Sequence, residues 1–294
     1  MYNLTMDKEK ILENALKECT VYTFSNLKIY YTSEIKESDL KPYYFPHYIG
    51  AYLMSNYRLS NLKKEIESIS DIDSKEVKMF LTTDKVLYKK ILHDKEMFWV
   101  QDSNLKQKFG FVSRGINILY IDYEVLTKYL PPRSNELDSL CHEFTHILLP
   151  QYLGMDREEY NRYWNNIFKE GFAVLLNNQY KYIFNMRKDI QDIKDIDFKK
   201  VSVKYLKEKG FFTIDNRFVT ENFEYQYCAT IVKKTDELIS RKKGEESGRP
   251  LKGLFSYILN KQDRGERMEE DLFKDFGIDI KDVEEDVRRD LDIS

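Results

Sequence analysis

Apolar and polar positions divide the chain into stretches of different period. Over residues 7–18, Ile11, Leu12, Ala15 and Leu16 fall on one side of a 3.6-residue repeat and predict a first helix. From Val21 to Tyr57 tyrosines crowd the sequence and Pro42 and Pro46 interrupt it; the stretch reads as an aromatic satellite core, or as a docking or lid element. A charged helix is expected over Asn61–Ser68, and the run Ser70-Asp-Ile-Asp-Ser74 marks a boundary. Beyond it the period shortens. Strands are predicted at Val77–Thr82 and Glu96–Gln101, with a short helix over Asp84–Leu92 that ends at a surface His93. A tight strand pair around Gly110 and Gly115 closes with Ile116–Asp122. Helical spacing then returns in Leu137, Leu140, Cys141, Phe144, Ile147 and Leu148, between a breaker-and-cap sequence (Pro131, Pro132, Ser134, Asn135) and Pro150, which is expected to end the helix. Past Pro150, Tyr160, Tyr163, Trp164, Ile167, Phe168, Gly171 and Val174 repeat at helical spacing. Gly171 costs about 1 kcal/mol in a helix interior, so another backbone is expected to approach there.

These elements describe an α+β protein: a small mixed β-sheet lobe backing the 135–150 helix, and a mainly helical C-terminal lobe. The expected organisation is a helical, Tyr-rich N-terminal extension over 1–74, an α/β lobe over 75–150 and a helical lobe over 151–294. Composition agrees with a packed globular chain, at 42% hydrophobic and 33% charged residues with 22 Tyr and 18 Phe. The net charge of −3 offers nothing to a polyanion, so no nucleic-acid partner is expected. No apolar run approaches the roughly 18 residues of a membrane span. The N-terminus lacks an uninterrupted apolar core of the signal-peptide kind, so a cytoplasmic location without a membrane partner is expected. Three cysteines, Cys19, Cys141 and Cys228, are odd in number and far apart, which argues against a disulfide framework.

The chemistry concentrates in Leu140-Cys-His-Glu-Phe-Thr-His-Ile-Leu-Leu149. Residues four apart on a helix share a face, so His142 and His146 can hold one metal ion. Glu143 can then reach a water in the open coordination position, which is the arrangement of a zinc hydrolase. Cys141 falls on the apolar face and reads as a small buried hydrophobe rather than a ligand. His47 reads as a hydrogen-bonded side chain rather than a metal ligand. Two histidines need a third protein ligand. Glu170, flanking the apolar stripe, is the candidate; Asp156 and Glu159 are alternatives, disfavoured because they follow Pro150 so closely.

The HExxH pattern followed downstream by Trp164-Asn-Asn-Ile-Phe-Lys-Glu170-Gly-Phe-Ala173 resembles the gluzincin metallopeptidases, the clan of aminopeptidase N-like and thermolysin-like enzymes. Their third ligand sits in an Asn-Glu-Gly-Phe-Ala block, and here Lys169 replaces the asparagine. The resemblance spans roughly residues 75 to 290 and is carried chiefly by the metal motif. It implies a zincin-like fold with one Zn²⁺ per chain, held by His142, His146 and Glu170. The activity implied is peptide-bond hydrolysis by a zinc-bound water, with Glu143 as general base and a peptide or protein as substrate. Gly110-Phe-Val-Ser-Arg-Gly-Ile-Asn-Ile-Leu-Tyr-Ile-Asp122 is similar to the family's edge strand, which implies substrate pairing along Gly110, Phe111 and Val112. Tyr225-Gln-Tyr-Cys-Ala-Thr-Ile-Val232 resembles the helix that brings a tyrosine to the oxyanion, with Tyr225 in that place and Tyr227 as the alternative. Asp271–Val287, with Phe276-Gly277 ahead of an acidic helix, resembles a terminal segment of small relatives.

Two further features depart from the family. Val174 stands where thermolysin-like members carry an aspartate that orients a zinc histidine. Phe111, Val112, Ser113 and Arg114 supply no acid to grip a free amine, which favours an endopeptidase over an aminopeptidase. Metzincins are excluded by Leu149, which occupies their glycine position. The other function class to weigh is a catalytically silent zincin-like module that binds peptides through the edge strand; intact His142, Glu143, His146 and Glu170 argue against it.

Overall fold

A computed structural model describes residues 13–42, 44–68, 75–84, 110–112, 118–122, 134–177, 218–244 and 250–290. The chain divides into two compact units, Met1–Ser60 with Ile72–Tyr152, and Asn61–Asp71 with Leu153–Ser294. The expected strand over Glu96–Gln101, His93, the helix after Asp84, the boundary run from Ser70 to Ser74 and residues 113–117 all lie outside the described residues.

The first unit is built on a five-stranded sheet in the order β1-β2-β3-β5-β4. Strand β1 is Thr20–Phe24, β2 Leu27–Tyr31, β3 Val77–Thr82, β4 Gly110–Val112 and β5 Ile118–Asp122. Two strands thus stand where a helical extension over 1–74 is expected from the sequence. Only the two residues Ser25 and Asn26 join β1 to β2, with Phe24 opposite Leu27 and Ser25 in the left-handed region at φ 51°. Burial alternates along β2, where Leu27, Ile29 and Tyr31 face the core, as a sheet with one packed face requires. Strand β3 runs parallel to both β2 and β5 and is buried at nearly every position, the pattern of a central parallel strand.

Between β2 and β3 lie two helices, α1 (Glu37–Leu40) and the longer α2 (Tyr44–Glu67). Pro46 does not interrupt α2: it sits in the first turn, where the missing N–H has no intrahelical partner to lose. The charged helix expected over Asn61–Ser68 is the last part of α2. Helix α3, Ser134–Tyr152, packs on β3, β4 and β5. Pro150 lies inside α3 rather than ending it, so the His146 carbonyl lacks its usual i+4 donor.

Helix α2 fixes α3 by several contacts. The Ser55 hydroxyl donates to the Cys141 carbonyl at 3.1 Å, and the Tyr52 and Phe144 rings meet edge to face at 6.1 Å. Tyr152 donates to Asn56 Oδ1 at 3.0 Å, and burial pushes its phenol up to about 12.

The second unit is helical in its described residues: α4 (Arg157–Tyr163), α5 (Asn166–Leu176), α6 (Phe218–Lys242), α7 (Lys252–Asn260), α8 (Met268–Phe276) and α9 (Ile280–Asp290). The helical stripe expected from Tyr160 to Val174 is two helices, not one. Trp164 leaves the helical conformation, and Asn165 caps α5 by accepting from the Phe168 N–H at 3.0 Å. Trp164, Phe172 and Phe255 form a chain of ring contacts at 5.6 and 6.1 Å. Among the described residues no helix is long and apolar enough to cross a membrane.

Candidate metal centre

Helix α3 buries every described side chain from Leu140 to Pro150 except Glu143. Leu140, Cys141, Phe144, Ile147 and Leu148 supply the apolar packing that holds it. The Cys141 thiol donates to the Ala51 carbonyl at 3.7 Å and touches Met54 Sδ, so it is committed to the α2 side. Thr145 bonds back to the Cys141 carbonyl at 2.8 Å. His142 and His146 retain only 7% and 9% of their exposure, much less than partly exposed histidines flanking an apolar face would keep.

The two imidazoles lie nearly perpendicular, at 82°, with their Nε2 atoms 3.0 Å apart. Two zinc–nitrogen bonds of ordinary length at a tetrahedral angle hold their nitrogens about 3.3 Å apart, so the pair is spaced as one metal ion would space it. Glu143 is half-buried on the same turn. Glu170, also half-buried, is the fifth residue of α5. Two neutral nitrogens and a carboxylate form a donor set suited to zinc and to other borderline divalent ions.

The backbone that carries Glu170 is tightly held. A Cβ on Gly171 would overlap the Cys228 carbonyl oxygen and lie 2.7 Å from the carbonyl carbon, so the close approach expected at this glycine is that of α6. On the opposite flank Lys169 is buried. Its ammonium donates to Asn161 Oδ1 at 2.8 Å and stands 5.0 Å from the centroid of the Tyr160 ring. Asn161 escapes a sequence reading, although a lysine inside an apolar helical stripe is a visible sign that partners for it exist nearby.

The alternatives to Glu170 are occupied elsewhere. Asp156 caps α4, accepting from the Glu159 N–H at 2.7 Å, and Glu159 pairs with Arg264 at 2.9 Å. Tyr227 is buried and donates to Glu284 at 2.8 Å, whereas Tyr225 is only half-buried. Strand β4, Gly110–Val112, pairs antiparallel with β5 and ends the sheet on that side among the described residues. Val174, the position of the family's orienting aspartate, is buried apolar core. The Nε2 of His47 is buried and finds no hydrogen-bond partner among the described residues. No known protein family matches the chain, and no curated protein or solved structure gives a significant match.

Proposed function

We propose that the protein is a zinc-dependent peptidase of the gluzincin type, with His142, His146 and Glu170 as ligands. The observation that carries this reading is the pair of buried imidazole nitrogens converging at 3.0 Å beside a half-buried glutamate. When bound, the zinc ion supplies Lewis acidity, lowering the pKa of water toward about 7 and polarising the scissile carbonyl.

The chain's own groups do the rest. Glu143 takes the proton of the attacking water and delivers it to the departing amine, moving it between two sites within reach of one carboxylate. Tyr225 donates a hydrogen bond to the oxygen on which negative charge develops, a role open to it because Tyr227 is already bonded to Glu284. Gly110, Phe111 and Val112 offer strand-edge backbone to an extended peptide, and the absence of an acid near them in the sequence favours internal cleavage over removal of N-terminal residues.

The test combines elemental analysis with cleavage of a mixed-peptide library. Wild type is expected to carry about one zinc per chain, Glu170→Gln well below that, and Glu143→Gln a full load with cleavage reduced by roughly 10²- to 10⁴-fold. A wild-type protein without zinc, or cleavage that survives the loss of Glu143, sinks the peptidase reading and leaves a peptide-binding module.

A further inference from the structure

Strand β1, Thr20–Phe24, is the outer strand of its sheet on the side away from β4, and it pairs with β2 alone among the described residues. The hairpin decides which of its backbone groups face outward. Ser25 takes the left-handed φ of 51° that suits the first central position of a tight hairpin turn, and such a turn closes with a hydrogen bond between its flanking residues, Phe24 and Leu27. Hydrogen-bonded and wide pairs then alternate along an antiparallel ladder. Tyr22 and Thr20 therefore turn their N–H and C=O toward β2, while Val21 and Thr23 turn theirs to the open edge. Among the described residues no backbone hydrogen bond from outside the hairpin reaches Val21 or Thr23.

This edge carries none of the usual guards against pairing. Thr-Val-Tyr-Thr-Phe has no charge, no proline and strong β propensity. Lys28, opposite Thr23, is drawn away from the edge into an ion pair with Glu76 at 2.9 Å. Val21 stays 45% exposed on one face of the strand, and Tyr22 and Phe24 are only half-buried on the other. A docked helix covers one face of a sheet, whereas an added strand covers side chains on both.

We propose that β1 pairs with β1 of a second copy of this chain, antiparallel and two-fold symmetric about Tyr22. In that register the strand is its own complement. Val21 of each copy faces Thr23 of the other, and each such pair exchanges both of its outward hydrogen bonds. Their β-branched side chains meet across the seam on one face. On the other face the two Tyr22 rings meet at the axis, each already stacked on Phe45 at 4.1 Å, and Thr20 meets Phe24. No like charges are opposed, as they would be in the symmetric pairing of a charged strand. Pairing uses up the open β1 edge of both copies, so assembly stops at a dimer instead of continuing as the aggregation that an edge of this composition invites. The inference is independent of the metal centre.

Sedimentation equilibrium of the full chain over a concentration series tests the dimer, and oxidative cross-linking tests its register. Wild type is expected to rise from the monomer mass toward twice that mass, with no larger species. Thr23→Pro should remain monomeric with an unfolding midpoint near that of wild type, because the N–H it removes faces outward and β2 loses no bond. Val21→Lys, a substitution at an exposed position, should raise the dimer dissociation constant about tenfold. Tyr22→Cys puts a thiol on the axis, in the kind of pair where side chains approach most closely, and should give a disulfide-linked dimer under mild oxidation; Thr20→Cys should not. Burial pushes the Cys19 thiol up to about 11, so it stays protonated and does not compete. Wild type that is monomeric at every concentration overturns the proposal. A dimer that survives both Thr23→Pro and Val21→Lys overturns it too, by placing the contact elsewhere, and so does cross-linking through Thr20→Cys in preference to Tyr22→Cys.

Discussion

Tyr225 and Tyr227 are two residues apart on α6 and chemically identical, yet their partners divide them. Two helical positions rotate a side chain by about 200°, so one ring faces α9 and Glu284 while the other does not. A substitution at each should separate structure from chemistry. Tyr227→Phe strips a buried carboxylate of a donor, and leaving Glu284 short of a partner costs about 1–3 kcal/mol, read as a lower unfolding midpoint with kcat intact. Tyr225→Phe removes a hydroxyl from a half-buried position and should barely move the midpoint. On the proposed mechanism it lowers kcat by about 10²-fold with little change in KM, as loss of an oxyanion donor does. Unfolding curves and steady-state kinetics on the two variants check both halves, and equal kinetic effects would remove Tyr225 from the mechanism.

At the scale of elements, the contact between α5 and α6 turns on one missing side chain. Alanine ordinarily improves a helix by about 1 kcal/mol over glycine. At Gly171 the added carbon would overlap the Cys228 carbonyl and lie 2.6 Å from a Val232 methyl, and backbone cannot yield as a flexible side-chain tip can. Overpacking of about 1–3 kcal/mol therefore outweighs the propensity gain, and Gly171→Ala should lower stability in urea titrations and, on the proposed ligand set, weaken zinc binding by displacing Glu170. A rise in stability would show that α5 and α6 are not so closely packed. This contact is legible in the sequence, because a glycine inside a strong apolar helical repeat forfeits helix stability unless a neighbouring backbone needs the space. So is α3, whose apolar spacing and histidine pair reinforce one another. The β1–β2 hairpin is not, although Leu27, Ile29 and Tyr31 alternate as a strand should; aromatic crowding on both faces masks the period. The break at Trp164–Asn165 is hidden for the opposite reason: apolar spacing continues across it, and only the capping preference of Asn165 betrays a new start.

At the scale of the whole molecule, one buried acid sets a pH dependence of folding. Asp236 on α6 accepts from the backbone N–H groups of Leu251 at 2.9 Å and Leu254 at 2.7 Å, and from Gly253, so its carboxylate caps α7. Those donors favour the charged form, but burial outweighs them and lifts the group from 3.8 to about 6. The folded pKa lies above the unfolded one, so the folded state binds this proton more tightly. The associated stability is fully present below about pH 4 and is lost as pH rises through about 6. Two pH units correspond to about 3 kcal/mol. Glu76 and Asp275 act with the opposite sign, since the Lys28 and Lys261 ammonium groups hold their carboxyls below the usual range. Both pairs are well screened by solvent and contribute little, so Asp236 should dominate. The difference in unfolding free energy between wild type and Asp236→Asn isolates it, because the amide does not titrate while the exposed pairs are common to both. That difference should shift against wild type by about 2–3 kcal/mol between pH 4 and pH 7 and stay level above pH 7. A flat difference across the range would mean that the three backbone donors, not burial, decide the charge of this carboxyl.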